Sequence, residues 1–159
     1  MEPDIKMMSK EKYYEKYPYD LYKNENQLNE RELKEEVFTA SFNTAKEKEV
    51  KLNEIKNWKP GEYLIEMQSK DKFGEKVEYK MFFTVYDTES NILPVNDFSF
   101  FTPVKTTCEP GEVAKFLVGS GAKDVKVRYE IEYKGKIVSK KWINLSNEQK
   151  LIEIPVEEK

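Results

Sequence analysis

Val125-Lys126-Val127-Arg128-Tyr129-Glu130-Ile131-Glu132-Tyr133-Lys134-Gly135 is the stretch that decides the fold. Apolar or aromatic residues at 125, 127, 129, 131 and 133 alternate without a break with charged residues from 126 to 134. A period of two puts the apolar set on one face of a strand, whereas a helix would scatter it around its circumference. Gly135 then turns the chain into Ile137 to Ile143, the clearest hairpin in the sequence.

The same period extends in both directions. Downstream, a last strand is predicted over Lys150 to Ile154, ending at Pro155, which cannot donate to a central ladder. Upstream, Phe38, Ala40 and Phe42 share one face, Tyr63, Ile65 and Met67 a second, and Val77, Tyr79, Met81, Phe83 and Val85 a third. Between the last two sets, Lys70-Asp71-Lys72-Phe73-Gly74 offers a glycine able to take positive φ and close a hairpin. Lys59-Pro60-Gly61-Glu62 and Glu109-Pro110-Gly111-Glu112 each precede an apolar strand. Proline presets the first central position and glycine supplies positive φ at the second, so both are predicted to be type II turns. About nine strands and no long helix specify an all-β protein, an antiparallel β-sandwich with a short helical or irregular N-terminal arm.

The pattern divides the chain into four parts. Residues 1–35 form the arm and hold five of the ten tyrosines: Tyr13, Tyr14, Tyr17, Tyr19 and Tyr22. Ser9 can cap a short helix that stops near Lys16, because Pro18 drives Tyr17 out of α geometry. A second short helix is expected through Glu30 to Glu35, and the tyrosines are expected to pack on the strands that follow. Residues 36–87 form a first β portion, 88–97 a linker or crossing rich in turn formers, and 98–159 a second β portion. Two separate domains and a single sandwich both remain open.

Composition narrows the chemistry. The 159 residues include 27 Lys and Arg, 30 Asp and Glu, one Cys and no His, for a net charge of −3. Near-balanced, interleaved charge provides no basic footprint for nucleic acid. No apolar run reaches the 18 or more residues of a membrane span, and Met1-Glu2-Pro3-Asp4 is no secretory signal. The lack of His removes the commonest general base and metal ligand. Cys108 has no internal disulfide partner and no His to activate it. Gly119-Ser120-Gly121 lacks the Gly-Lys-Ser/Thr of a phosphate loop and reads as a turn. Asp71 and Glu75 flank a turn, but Lys70 and Lys72 occupy neighbouring positions, unlike a calcium loop. Ser120, Ser139 and Ser146 have no base. Trp58 and Trp142 can stack on a sugar or a partner, but are expected to serve packing. No catalytic, cofactor-binding or metal-ligating residue is therefore assigned.

Several runs together carry a family resemblance. They are Pro3-Asp4-Ile5; Met8-Ser9-Lys10-Glu11-Lys12-Tyr13-Tyr14-Glu15-Lys16-Tyr17-Pro18-Tyr19-Asp20; and Tyr22-Lys23-Asn24-Glu25. Trp58-Lys59-Pro60-Gly61-Glu62-Tyr63 and Ser69-Lys70-Asp71-Lys72-Phe73-Gly74-Glu75 follow. The last are Glu109-Pro110-Gly111-Glu112 through Gly119-Ser120, and Ile152-Glu153-Ile154-Pro155-Val156-Glu157. Together they resemble bacterial alpha-2-macroglobulin-like proteins of the Bacteroides type, at the end of one macroglobulin-like domain and the opening of the next. The resemblance implies immunoglobulin-like sandwich units within a large protein of the periplasm or outer-membrane surface that entraps proteases. In that family a Cys-Gly-Glu-Gln thioester captures the attacker. Here Cys108 is followed by Glu109, Pro110 and Gly111, so the Gln is missing and no thioester is expected. The implied role is a non-enzymatic scaffold segment, an internal piece or truncated relative, whose partners are neighbouring macroglobulin-like domains and, indirectly, proteases. No cofactor is implied. The alternative is a stand-alone β-sandwich module that binds a protein or glycan.

Overall fold

The computed structural model describes residues 8–18, 20–25 and 27–158. The chain divides into two compact units, Met1–Lys59 and Pro60–Lys159, a boundary that falls inside the 36–87 portion.

In the first unit, α1 spans Lys10–Lys16. Ser9 is its N-cap, accepting from the Lys12 amide, and Tyr17 leaves helical geometry just ahead of Pro18, as the sequence predicts. Tyr13 on α1 is buried. Its ring lies 5.8 Å from that of Tyr14, 5.2 Å from Tyr17 and 5.3 Å from Tyr22. The arm thus makes a small aromatic core of its own tyrosines; Tyr19 lies outside the described residues. In place of the helix expected over Glu30 to Glu35, one 3-10 turn forms at Leu28–Glu30.

Residues 31–42 contain no strand, so the strand expected through Phe38, Ala40 and Phe42 does not form. Phe38 and Phe42 are exposed. The reason lies in the ladder: alternation selects a strand only where another strand accepts its backbone hydrogen bonds, and none does here among the described residues.

The second unit holds seven antiparallel strands: β1 (Gly61–Lys70), β2 (Lys76–Val85), β3 (Phe100–Lys105), β4 (Val113–Ser120), β5 (Val125–Tyr133), β6 (Lys136–Leu145) and β7 (Glu148–Pro155). They form a two-stranded sheet β1-β2, a three-stranded sheet β3-β4-β7 and a two-stranded sheet β5-β6. The protein is all-β and antiparallel, as the alternation requires. The β5-β6 hairpin closes through Lys134 and Gly135, both at positive φ (49° and 74°), the conformation of a type I′ turn. Its register shifts between Ile131 and Glu132, a bulge that alternation alone cannot reveal.

The two Pro-Gly sites differ. Gly111 has φ +89° and Glu112 donates to Glu109 O at 3.0 Å, so Pro110-Gly111 is the predicted turn. Gly61 is not among the positive-φ glycines and is instead the first residue of β1, paired with Val85. The ladder holds its backbone extended, which corrects the turn expected at Pro60-Gly61.

The core of this unit draws Phe100 from β3, Leu117 from β4, Ala122 from the β4–β5 connection, Leu145 from β6 and Ile152 from β7. Residues 88–97 are held against it. Gln149 Nε2 donates to Asp87 O (2.7 Å) and Ser90 O (2.9 Å), and Gln149 N to Asn91 O (2.9 Å). Gly121 N donates to Asp97 O at 2.7 Å. A Cβ at Gly119 would lie 2.5 Å from Leu93 Cδ2, so the absent side chain lets Leu93 approach β4. The segment is a pinned crossing.

Candidate interaction surfaces

Asp71 and Ser120, both singled out from sequence, make structural hydrogen bonds. Asp71 Oδ1 accepts from the Phe73 and Glu75 amides at 2.8 and 2.9 Å, fixing the β1–β2 turn around Gly74 (φ +88°). Ser120 is buried; its hydroxyl donates to Phe98 O at 2.7 Å and accepts from the Ala122 amide. That ties Gly119-Ser120-Gly121 into the end of β4. Cys108 is half-buried between β3 and β4. Lys105, three residues before it, is paired with Glu112 at 2.8 Å, and this hydrogen bond raises the Lys105 pKa and lowers that of Glu112. No cluster of three or more His, Cys, Asp or Glu suited to a metal occurs among the described residues.

In the first unit, Glu25 is the polar hub. Lys10 and the Tyr14 hydroxyl both bind its carboxylate, the Tyr22 amide donates to it at 3.2 Å, and Arg31 Nε donates to its backbone carbonyl at 2.9 Å. Burial pushes the Glu25 carboxyl up, but the three donors outweigh it and leave the pKa below the ordinary value. Burial, aided by the bond to Glu25, raises the Tyr14 phenol. Sequence gave no hint of this hub, because Lys10, Tyr14 and Glu25 meet only once the chain has turned at Pro18.

Two surfaces stand out in the second unit. The first is one face of the β1-β2 hairpin. Tyr63, Ile65 and Met67 of β1 stand opposite Phe83, Met81 and Tyr79 of β2, with Val77 beyond them. Every one is apolar or aromatic, and Met67, Val77, Tyr79 and Met81 are 41–53% exposed. The opposite face carries the ion pairs Lys80–Glu66 and Lys76–Glu78. The extensive contacts of β1 and β2 are with each other.

The second surface is the outer face of β5-β6, where Trp142 stands opposite Arg128. Trp142 is 57% exposed, which corrects its expected place in packing. Lys126 Nζ lies 5.0 Å and the Arg128 guanidinium 5.7 Å from its ring centroid. Strand alternation explains the placement: Ile143 and Leu145 turn inward with Val125 and Val127, which leaves Trp142 outward.

No family model, curated protein or solved structure matches this chain. No helix among the described residues is long and apolar enough to cross a membrane.

Proposed function

We propose that the chain is a non-enzymatic structural segment of a larger β-sheet protein, of the bacterial alpha-2-macroglobulin-like, protease-trapping kind located in the cell envelope. The observation that carries this reading is the exposed apolar set Met67, Val77, Tyr79 and Met81 on one face of β1-β2. An isolated two-stranded sheet is at best marginally stable in water, and three or more strands or a packed second layer are needed. A hairpin of two ten-residue strands with apolar residues along one face therefore suits an immunoglobulin-like sandwich completed by neighbouring macroglobulin-like domains. The unpaired, strand-patterned segment through Phe38, Ala40 and Phe42 suits the same arrangement. The missing thioester Gln after Cys108 favours scaffolding over covalent capture for this segment.

The test places a photo-crosslinking phenylalanine analogue at Tyr79 in cells that produce the protein natively. Crosslinks should map to other β-sandwich segments of a macroglobulin-like polypeptide. The purified chain should also carry no methylamine-sensitive acyl group on Cys108. Crosslinks confined to solvent or to unrelated proteins, or acylation at Cys108, would overturn the proposal.

A further inference from the structure

The outer face of β5-β6 is built differently from the face of β1-β2: an exposed tryptophan stands among cations. The charged groups that strand pairing places around Trp142 are Lys126, Arg128, Lys140 and Glu130, and Lys150, paired with Glu148, donates to Asn144 O at 2.7 Å beside them. Glu130 is engaged by Arg128 at 2.8 Å and lies 4.0 Å from Lys140. One carboxylate thus serves two cations, and Lys126 lies over the Trp142 ring with no ion-pair partner among the described residues. Lys126 and Trp142 point outward on adjacent registers, beside Asn144. The patch carries net positive charge in a chain whose total is −3.

Tryptophan and arginine are the side chains that most often dominate binding at protein interfaces, and here they lie in direct contact on an open face. A cation over an exposed ring gains a modest attraction, and its charge stays available to a second partner. A carboxylate arriving at Lys126 would meet an unpaired ammonium, while an apolar side chain beside it would lie on the indole. A neutral ligand would use the ring and leave the cations unsatisfied.

We propose that this face docks an acidic peptide segment in which carboxylates alternate with apolar side chains. The carboxylates pair with Lys126 and Arg128 and the apolar groups cover Trp142. Charge complementarity favours this occupant over a neutral glycan, and the proposal stands whether or not the chain belongs to a macroglobulin.

The chain has two tryptophans, so its indole N–H groups give two NMR signals, and Trp142→Ala assigns them. An N-acetylated octapeptide of alternating glutamate and leucine should shift the Trp142 signal saturably and leave that of Trp58 in place. Binding should weaken at least fivefold between 50 and 200 mM salt, and at least fivefold in Lys126→Glu and in Arg128→Glu. These positions are exposed, so the variants should keep the parent's circular dichroism; Lys126→Gln is the milder second variant. An absent shift at millimolar peptide would overturn the proposal. So would equal binding of the glutamine counterpart, or tighter binding of cellohexaose.

Discussion

Tyr13 holds the first unit together, packing on Tyr14 and Tyr17 along its own helix and on Tyr22 beyond it. Three rings meet it within 6 Å, and no other described residue of the first unit is buried. Removing a large buried aromatic costs roughly 3–5 kcal/mol in ordinary cores, enough to undo a unit with so little else buried. Tyr13→Ala should therefore abolish hydrogen-exchange protection at the amides of Tyr13 and Tyr17, which donate to Ser9 O and Tyr13 O. Tyr17→Phe, which keeps a ring, should not. Glu25 adds a pH dependence of definite sign. Its folded pKa lies below the unfolded value of about 4.3, so its stabilisation is complete above that value and lost as pH falls through the folded one. Ring signals of Tyr14 and Tyr22 should broaden or shift together in this acid window. Glu25→Gln should remove the transition from that window.

At the scale of elements, turns were legible wherever glycine had to adopt positive φ and no ladder intervened. Gly74, Gly111 and Gly135 all do so, and each sits where the sequence placed a turn. Gly61 has the same Pro-Gly signature as Gly111, but its pairing with Val85 overrides it. Local residue chemistry specifies a turn; tertiary pairing decides whether it forms. The same logic explains Phe38 and Phe42, whose alternation is as clear as that of β5 but lacks a partner strand. It also explains Trp142: alternation fixes which residues share a face, but not which face meets the core. The position of Gln149 was not legible, since its bonds to Asp87 and Ser90 span about 60 residues of sequence. Gly111→Val tests the turn logic directly. No heavy atom lies within 4 Å of a Cβ there, so any loss comes from the backbone alone. A β-branched residue at φ +89° should destabilise the second unit by about 1 kcal/mol or more in urea unfolding.

For the whole molecule, surface area measures how thin the core is. The chain exposes 13,408 Å². Two compact bodies of about 7 and 12 kDa would together expose roughly 10,000 Å², even with nothing buried between them. The surplus of about 3,000 Å² fits a first unit in which Tyr13 alone is buried among the described residues. The edges are not equally open to partners. The outer strands of β3-β4-β7 carry Pro103 and Pro155, which cannot donate to an added strand, whereas β1 and β2 have no proline within them. The strands of β1-β2 and β5-β6 thus lack the proline that blunts the β3-β4-β7 edges. If the apolar face of β1-β2 is uncovered in the isolated chain, polar substitutions on it remove exposed apolar surface at little cost to folding. The double variant Val77→Thr, Tyr79→Lys should bind less hydrophobic dye and self-associate less, with a melting temperature within about 2 °C of the parent. A face already packed in the isolated chain would behave otherwise. Each buried side chain lost would remove about 1.5–3 kcal/mol, and each kcal/mol lowers the melting temperature of a 60–100-residue unit by about 4–8 °C. A drop of 10 °C or more would show that the hairpin is covered within the chain itself and has no need of a neighbouring domain.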